Sequence, residues 1–184
     1  MMLQDVYQKT IKFAAIKHKN QKVPGTEANY LLHISNVAME ILLAYKEDDS
    51  FDINFAIQLA LLHDTLEDTE TEFYELEREF GIQVALGVQA LTKDENLASK
   101  KDRMIDSLNR INEMKKEVGM VKLADRITNL QEPPKNWEKD KIQNYIIEAQ
   151  IIDEVLKDKN DYLNQRLKTK IVEYRKYTGY SEAK

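Results

Sequence analysis

The chain has 184 residues, no cysteine and a formal net charge of -5. Its length favours one domain, and the lack of cysteine excludes disulfides and thiolate chemistry. The acidic balance argues against a general nucleic-acid binder, which would show a basic face. No apolar run approaches the ~20 residues that span a bilayer, and residues 1–5 lack the pattern of a signal peptide. We therefore expect a cytoplasmic protein with no membrane or nucleic-acid partner.

Glycine and proline are scarce, with five and three copies, and apolar residues recur at helical spacing. The sequence predicts an all-α fold and a single domain over residues 1–184. The part of the domain that carries the motifs covers about 7–156, and a C-terminal helical extension covers about 160–178. Thr71 is the predicted N-cap of one helix, and Gly119 the predicted stop of another. The predicted helices cover residues 3–20, 30–45, 54–67, 71–81, 82–91, 100–118, 120–130, 137–157 and 162–177.

The segment from His63 to Asp68 concentrates four chemically active side chains in six residues. On one continuous helix, His63 and Glu67 would lie one turn apart, as would Asp64 and Asp68, so all four would share one broad face. A charged helix exit is the weaker interpretation, because the helix dipole disfavours acids at a C-terminus. Crowded acids and an imidazole repel one another unless a cation lies among them. The segment therefore predicts one wall of a metal site.

A second segment, residues 121–130, carries polar side chains at i, i+3, i+4 and i+7: Lys122, Asp125, Arg126 and Asn129. These side chains share one helical face, opposite an apolar stripe. Such a face suits a cleft that holds a metal and a phosphorylated ligand, although surface ion pairs are the alternative. The third element is His33, which is flanked by apolar residues where a helix begins. Taken alone, His33 would more often be a core histidine.

The order of His33, the His63-Asp64 pair and Asp125 resembles the HD-domain phosphohydrolase superfamily, whose members bind a divalent metal with such residues inside an all-α bundle. Residues 61–69, with Phe80-Gly81, Leu91-Thr92-Lys93 and residues 121–130, further resemble the hydrolase domain of the RelA/SpoT alarmone family. The Glu67-Asp68 pair is the hydrolase mark of that family. No synthetase domain follows, so the chain most resembles the stand-alone small alarmone hydrolases, which include the metazoan SpoT homologue.

Outside these motifs, His18, Gln21 and Tyr30 also match the alarmone family, as do Trp137 and residues 141–145. Two features depart from it. Val23-Pro24 follows Lys22 where the family has an Arg-Lys pair that helps to hold the guanine nucleotide, and the prolines that usually flank the first histidine motif are absent.

The resemblance implies removal of pyrophosphate from the 3′ position of guanosine tetra- or pentaphosphate, leaving GDP or GTP. It implies one divalent ion, expected to be Mn²⁺, held by His33, His63, Asp64 and Asp125. Glu67 and Asp68 are expected to orient the attacking water or to accept its proton. The expected substrate contacts are Asn129, Lys122, Arg126, Tyr145, Lys22 and Lys141, with Lys17 and His18 as further candidates.

Several alternatives stay open. Lys122 and Arg126 could instead support Asp125, and Tyr145 could be a core residue. The enzyme could be an HD phosphatase that acts on a nucleoside monophosphate or NADPH, and the chain could also be a nucleotide sensor without catalysis. The charged helix predicted at residues 100–118 could join a homo-oligomer or face water.

Overall fold

The computed structural model describes residues 2–179 as a bundle of helices, which confirms the predicted all-α fold class. The ends of the predicted domain, residue 1 and residues 180–184, lie outside the described residues. The helices are α1 (Leu3–Lys17), α2 (Leu31–Glu47), α3 (Ile53–Leu62), α4 (Thr65–Asp68), α5 (Phe73–Phe80), α6 (Ile82–Leu91), α7 (Lys100–Asn112), α8 (Lys116–Asn129), α9 (Lys139–Val155) and α10 (Asp161–Tyr174), followed by a 3-10 turn at Arg175–Thr178. None of these helices is both long and apolar enough to cross a membrane.

Helix α3 forms the centre of the bundle. Residues 55–57 and 59–62 are all buried, and the helix packs against α1, α2, α6 and α8. Each fully buried leucine or isoleucine contributes roughly 1.5–3 kcal/mol to folding. The Asp52 side chain caps the helix by accepting a hydrogen bond from the Phe55 amide at 3.1 Å. Because α3 is surrounded, the residues that follow its C-terminus are held inside the protein.

The prediction of one continuous helix at residues 54–67 is wrong. Helix α3 ends at Leu62, and His63 and Asp64 form a junction before the short helix α4. The Thr65 hydroxyl donates to the Leu62 carbonyl at 2.7 Å and ties the two helices together. The histidine and the three acids therefore do not lie on one continuous helical face, and their positions have to be taken from the tertiary structure.

The helix predicted at residues 100–118 is also two helices. Helix α7 ends at Asn112, and α8 begins at Lys116 and continues through Gly119, which was predicted to be a stop. A Cβ atom at Gly119 would lie 2.7 Å from Lys159 Cγ, so this glycine permits a close approach inside a helix instead of ending one.

The predicted Thr71 N-cap is wrong as well, because α5 begins at Phe73 with Glu72 at the N-cap. Thr71 Oγ1 instead pairs with Thr69 Oγ1 at 2.7 Å. Gly81 does separate α5 from α6, with a φ of 90°. The remaining helices lie where predicted, with ends shifted by at most three residues.

Gly87 allows α6 to approach α3 closely, and its replacement tests that contact. A Cβ at Gly87 would lie 2.6 Å from Leu59 Cδ2, and Leu59 is fully buried. Overpacking costs about 1–3 kcal/mol, and alanine returns about 1 kcal/mol through helix propensity. We expect Gly87→Ala to lower the urea midpoint of unfolding, with a net loss of about 1 kcal/mol. Gly119→Ala, whose nearest neighbours are atoms of the partly exposed Lys159 side chain, should lower the midpoint less than Gly87→Ala, and equal midpoints for the two variants would contradict the packing argument.

Candidate active site

Two imidazoles and two carboxylates converge where α3 ends. His33 Nε2 lies 3.4 Å from His63 Nε2, and His63 Nε2 lies 2.8 Å from Asp64 Oδ2. The ligand atoms of His33, His63 and Asp64 all lie within 4.8 Å of one another. Asp125 Oδ1, from α8, lies 3.4 Å from His33 Nε2 and 3.8 Å from His63 Nε2. Three separate segments of the chain therefore bring these four side chains together, with Asp125 beside the two imidazoles, and we call the four the His/Asp cluster.

Neighbouring hydrogen bonds orient the members of the His/Asp cluster. His63 Nδ1 lies 2.9 Å from the Ala60 carbonyl, which can only accept, so in the neutral ring Nδ1 carries the proton and Nε2 presents its lone pair. The Tyr30 hydroxyl donates to Asp64 Oδ2 at 2.5 Å. Burial and the negative charge of Asp64 raise the pKa of Tyr30, so the phenol stays protonated and remains a donor.

The His/Asp cluster attracts positive charge. Burial disfavours the charged form of His63, but Asp64 and Asp125 outweigh it and raise the pKa of His63 to about 9. Burial likewise opposes ionisation of Asp125, yet the Lys122 ammonium and the two imidazoles hold the pKa of that carboxyl well below its ordinary value. A buried carboxylate and a half-buried one that stay ionised beside two imidazoles form an environment that favours a bound cation.

The donor set fits a divalent metal ion. Ligand atoms held about 2.1 Å from one ion lie roughly 3–4.2 Å apart, depending on the angle between them. The separations of the His33 and His63 Nε2 atoms from one another and from Asp125 Oδ1, 3.4–3.8 Å, fall within that span. Imidazole nitrogens mixed with carboxylate oxygens are typical ligands of first-row transition ions.

Glu67 extends from α4 to the loop that follows α6. Its Oε1 accepts a hydrogen bond from the Lys93 ammonium at 2.6 Å, and its Oε2 accepts one from the Lys93 backbone amide at 3.1 Å. Burial opposes the charge on Lys93, but Glu67 outweighs it and raises the pKa of Lys93. A carboxylate held by two donors from one residue has little freedom to turn away from the site.

Asp68 is held from the opposite side by the loop between α1 and α2. Gln21 Nε2 donates to Asp68 Oδ2 at 2.8 Å, and Gln21 Oε1 faces His18 Nδ1 at 2.5 Å. Desolvation of the Asp68 carboxyl group and the charge of Asp64 raise the pKa of Asp68. The two acids of the Glu67-Asp68 pair therefore lie in different environments.

The phosphate contacts expected for Lys17 and His18 are not supported. His18 is buried and is bonded to Gln21, and the Lys17 ammonium pairs with Glu75 at 2.7 Å. His18 thus supports the Gln21 side chain, and Lys17 belongs to the contact between α1 and α5.

The polar face of α8 divides into two groups. Lys122 Nζ donates to Asp125 Oδ2 at 3.0 Å, and Asn129 Nδ2 donates to Asp125 Oδ1 at 2.5 Å, so both hold this carboxylate in place. Arg126 points elsewhere. Its guanidinium is buried over the Tyr145 ring, 4.4 Å from the centroid, and bonds to Glu148 at 3.3 Å. Without a ligand the Arg126 guanidinium supports Tyr145, and its expected phosphate contact stays a prediction.

A cavity of about 170 Å³ adjoins the His/Asp cluster, and we call it the nucleotide cavity. Its wall includes His33 and Asn129, which link it to the cluster. Aromatic and apolar side chains form much of the remaining lining, among them Val23, Pro24, Pro134, Trp137 and Tyr145.

Two lysines expected to contact the substrate lie near the nucleotide cavity. Lys141 Nζ lies 4.0 Å from the centroid of the Trp137 ring, at the rim of the cavity. Lys22 is exposed and forms an ion pair with Glu27. Val23 and Pro24 themselves line the cavity, so the residues that depart from the alarmone family face the place where a ligand would bind.

Three residues of this site received no role from the sequence. Lys93 donates a hydrogen bond to Glu67, Gln21 donates one to Asp68, and Tyr30 donates one to Asp64. The sequence did contain a signal for these three residues, because all of them fall in motifs shared with the alarmone family. Their partners lie 26 to 47 residues away, so spacing alone could not identify them.

Comparison with known proteins agrees with this geometry. The HD domain family matches residues 10–151. A Danio rerio protein named guanosine-3′,5′-bis(diphosphate) 3′-pyrophosphohydrolase MESH1 is 35% identical over 173 residues, which cover 91% of this chain and 93% of the relative. The Homo sapiens protein of the same name is 34% identical over 161 residues, which cover 85% of this chain and 87% of the relative.

A solved structure shows the same likeness. It is that of a metazoan orthologue of SpoT, described as hydrolysing ppGpp and playing a role in starvation responses, and it matches with a TM-score of 0.78 at 25% identity, covering 91% of this chain and 94% of the other. The chain therefore belongs to the HD domain family and, within it, to the MESH1 group. The resemblance predicted from the motifs is confirmed.

Replacing Gln21 tests the bond that holds Asp68. The Gln21 amide stabilises the ionised form of Asp68 and so lowers a pKa that desolvation and Asp64 raise. We expect Gln21→Leu to move the titration midpoint of the Asp68 carboxyl to higher pH, as followed by carboxyl ¹³C NMR in protein without added metal. Lys22→Ala, at an exposed neighbour, should leave that midpoint in place. A Gln21→Leu midpoint equal to that of the parent protein would show that the bond does not act on Asp68.

Proposed function

We propose that this chain is a metal-dependent hydrolase that removes pyrophosphate from the 3′ position of guanosine tetra- or pentaphosphate, leaving GDP or GTP. The observation that carries the proposal is the His/Asp cluster at the edge of the nucleotide cavity, with the Glu67-Asp68 pair beside it. Relatives in the MESH1 group bear the name of this reaction.

We propose that His33, His63, Asp64 and Asp125 hold one divalent ion, Mn²⁺ being the expected one. Such an ion would lower the pKa of a bound water and offset charge on a phosphate. The side chains of Tyr30, Lys122 and Asn129 fix the two carboxylates through the hydrogen bonds described above. Residues that fix the ligands in this way reduce the reorganisation needed when an ion binds.

Glu67 and Asp68 are proposed to transfer the protons of the reaction, one as acceptor and one as donor. Attack of water on the phosphorus next to the ribose breaks the bond to the 3′ oxygen, and the water loses a proton while the 3′ oxygen gains one. Glu67, held by Lys93, is the proposed acceptor that orients the water. Asp68, whose pKa is raised, is the better placed of the two to carry a proton towards the leaving oxygen.

The nucleotide cavity is proposed to take the base and the ribose. Trp137 and Tyr145 pack edge to face, with centroids 5.2 Å apart, and offer aromatic surface to a purine. Asn129, in the cavity wall, is placed to contact a ribose or phosphate oxygen. Lys141, at the rim, is the proposed cation for a phosphate.

A substrate panel tests the reaction directly. With Mn²⁺ present, we expect guanosine tetraphosphate to yield GDP and pyrophosphate, identified by anion-exchange chromatography. The panel should include a nucleoside monophosphate and NADPH, because the apolar Val23-Pro24 pair lines the cavity where the alarmone family has Arg-Lys. Release of orthophosphate from one of those compounds, with guanosine tetraphosphate left intact, would replace the proposed substrate with another nucleotide.

Two substitutions separate metal binding from proton transfer. Glu67→Gln keeps the shape but loses the basic carboxylate, so kcat should fall about 10²–10⁴-fold while the affinities for Mn²⁺ and substrate persist. Asp64→Ala removes a proposed ligand, so Mn²⁺ binding and activity should be lost together. Glu70→Gln, at a nearby exposed acid, is the matched control and should keep full activity. An unchanged kcat in Glu67→Gln would remove this residue from the mechanism.

A further inference from the structure

The loop between α1 and α2 places a buried histidine behind Asp68. His18 is 1% exposed and follows the last residue of α1, and its backbone amide donates to the Ala14 carbonyl at 2.9 Å. The backbone amide of Gln21 donates in turn to the His18 carbonyl, and that of Tyr30 donates to the Gln21 carbonyl, both at 3.0 Å. Backbone hydrogen bonds therefore fix the positions from which the side chains of His18 and Gln21 extend.

Aromatic contacts hold the His18 imidazole itself. Its ring lies against the Tyr30 ring, with the centroids 5.1 Å apart and the planes inclined by 34°. The Tyr30 ring also contacts the ring of His33, with the centroids 5.0 Å apart. His18 is therefore linked to the His/Asp cluster through one intervening ring, and close packing of this kind keeps a side chain in one rotamer.

The hydrogen bonds of the Gln21 side chain run in one direction. His18 Nδ1 lies 2.5 Å from Gln21 Oε1, and Gln21 Nε2 donates to Asp68 Oδ2 at 2.8 Å. An amide oxygen can only accept, so the imidazole donates from Nδ1. The reverse orientation of the amide would place its oxygen against the carboxylate, where two acceptors repel. His18 and Asp68 therefore favour the same orientation of the Gln21 amide.

The bond to Gln21 is the hydrogen bond that the His18 ring makes. Its other nitrogen, Nε2, is buried and has no hydrogen-bond partner in the part of the chain that the structure describes. His18 also lies outside the lining of the nucleotide cavity. The placement of the ring thus suits a fixed donor to Gln21 and does not suit a contact with the substrate.

We propose that His18 is a positioning residue for proton transfer by Asp68, and that it acts through the orientation of the Gln21 amide. This inference rests on the proposed function, in which Asp68 carries a proton towards the 3′ oxygen. The Gln21 N–H occupies Asp68 Oδ2, so a proton on this carboxyl group is favoured on Oδ1. The Oδ1–H bond breaks as the 3′ oxygen takes the proton, and the carboxylate that remains keeps its bond from Gln21. His18 thereby selects the oxygen atom from which the proton leaves.

Two substitutions at His18 separate the donor from the bulk of the ring. Asparagine and leucine share one branched skeleton, but asparagine carries an N–H donor bonded to Cγ, as Nδ1 is in histidine. We expect His18→Leu to lower kcat for guanosine tetraphosphate about 3–10-fold, the contribution of one hydrogen bond, with KM unchanged. His18→Asn should restore most of that loss. Lys19→Gln, at the exposed next residue, is the control and should keep the kcat of the parent protein.

The side-chain amide of Gln21 gives a readout that needs no hydrolysis. In ¹⁵N-resolved NMR spectra of the whole chain without added metal, an Nε2 proton bonded to a carboxylate should resonate downfield of a free glutamine. This resonance, assigned by its loss in Gln21→Leu, should move towards the free position in His18→Leu and stay in place in His18→Asn. An unmoved resonance in His18→Leu, or equal losses of kcat in the two variants, would overturn the role of His18.

The two readouts separate the role of His18 from the identity of the substrate. If guanosine tetraphosphate stays intact with the parent protein, the proposed reaction fails, while the Gln21 resonance still decides whether His18 orients the amide. The kcat comparison then passes to the nucleotide that the substrate panel identifies. A rise of KM with kcat unchanged would contradict the inference, because it would make His18 a substrate contact. If His18→Leu fails to fold, His18→Phe keeps a ring against Tyr30 and provides the same comparison with His18→Asn.

Discussion

The structure depends on the electrostatic association of two imidazoles with two carboxylates at the end of the central helix. Helix α3 packs against α1, α2, α6 and α8, so His63 is buried at its end and Asp64 is only partly exposed. His33 and Asp125 are brought against them by α2 and α8. Four such groups remain together in a low-dielectric interior only if positive charge offsets the carboxylates, so the cluster could hold a cation.

Hydrogen bonds around this cluster hold its side chains in defined positions. Each carboxylate of the cluster has its own partner: Tyr30, 34 residues away in the chain, bonds to Asp64, and Lys122, one turn earlier in α8, bonds to Asp125. Glu67 is bonded to Lys93 by both of its oxygens. Proton transfer requires groups held close to their reacting positions, and these contacts supply that restraint before a ligand arrives.

The nucleotide cavity beside the cluster supplies the surface that can select a substrate. Much of its lining is aromatic and apolar, and it includes Trp137, Tyr145 and Pro24. Arg126 contributes indirectly, because its guanidinium lies over the Tyr145 ring and restrains that side chain. A flat ring in this cavity, with a phosphate beside the cluster, matches the chemistry of a phosphorylated nucleotide.

The residue types and their order along the chain were sufficient to predict the all-α fold, the family and the membership of the His/Asp cluster. Helical periodicity and the His33, His63-Asp64 and Asp125 order are local or sequential signals, and both can be read without coordinates. The same local rules failed at two places. At residue 63 the predicted long helix is divided into α3 and α4, and Gly119 lies inside α8 instead of ending a helix.

Only the tertiary structure decided which side chains meet. Sequence spacing placed Lys122, Arg126 and Asn129 on one face, but packing against α9 turned Arg126 towards Tyr145, while the other two bond to Asp125. The partnership of Glu67 with Lys93 was likewise invisible in the sequence. Such contacts join residues far apart in the chain, and their positions follow from how the buried faces of the helices fit together, which no local pattern encodes.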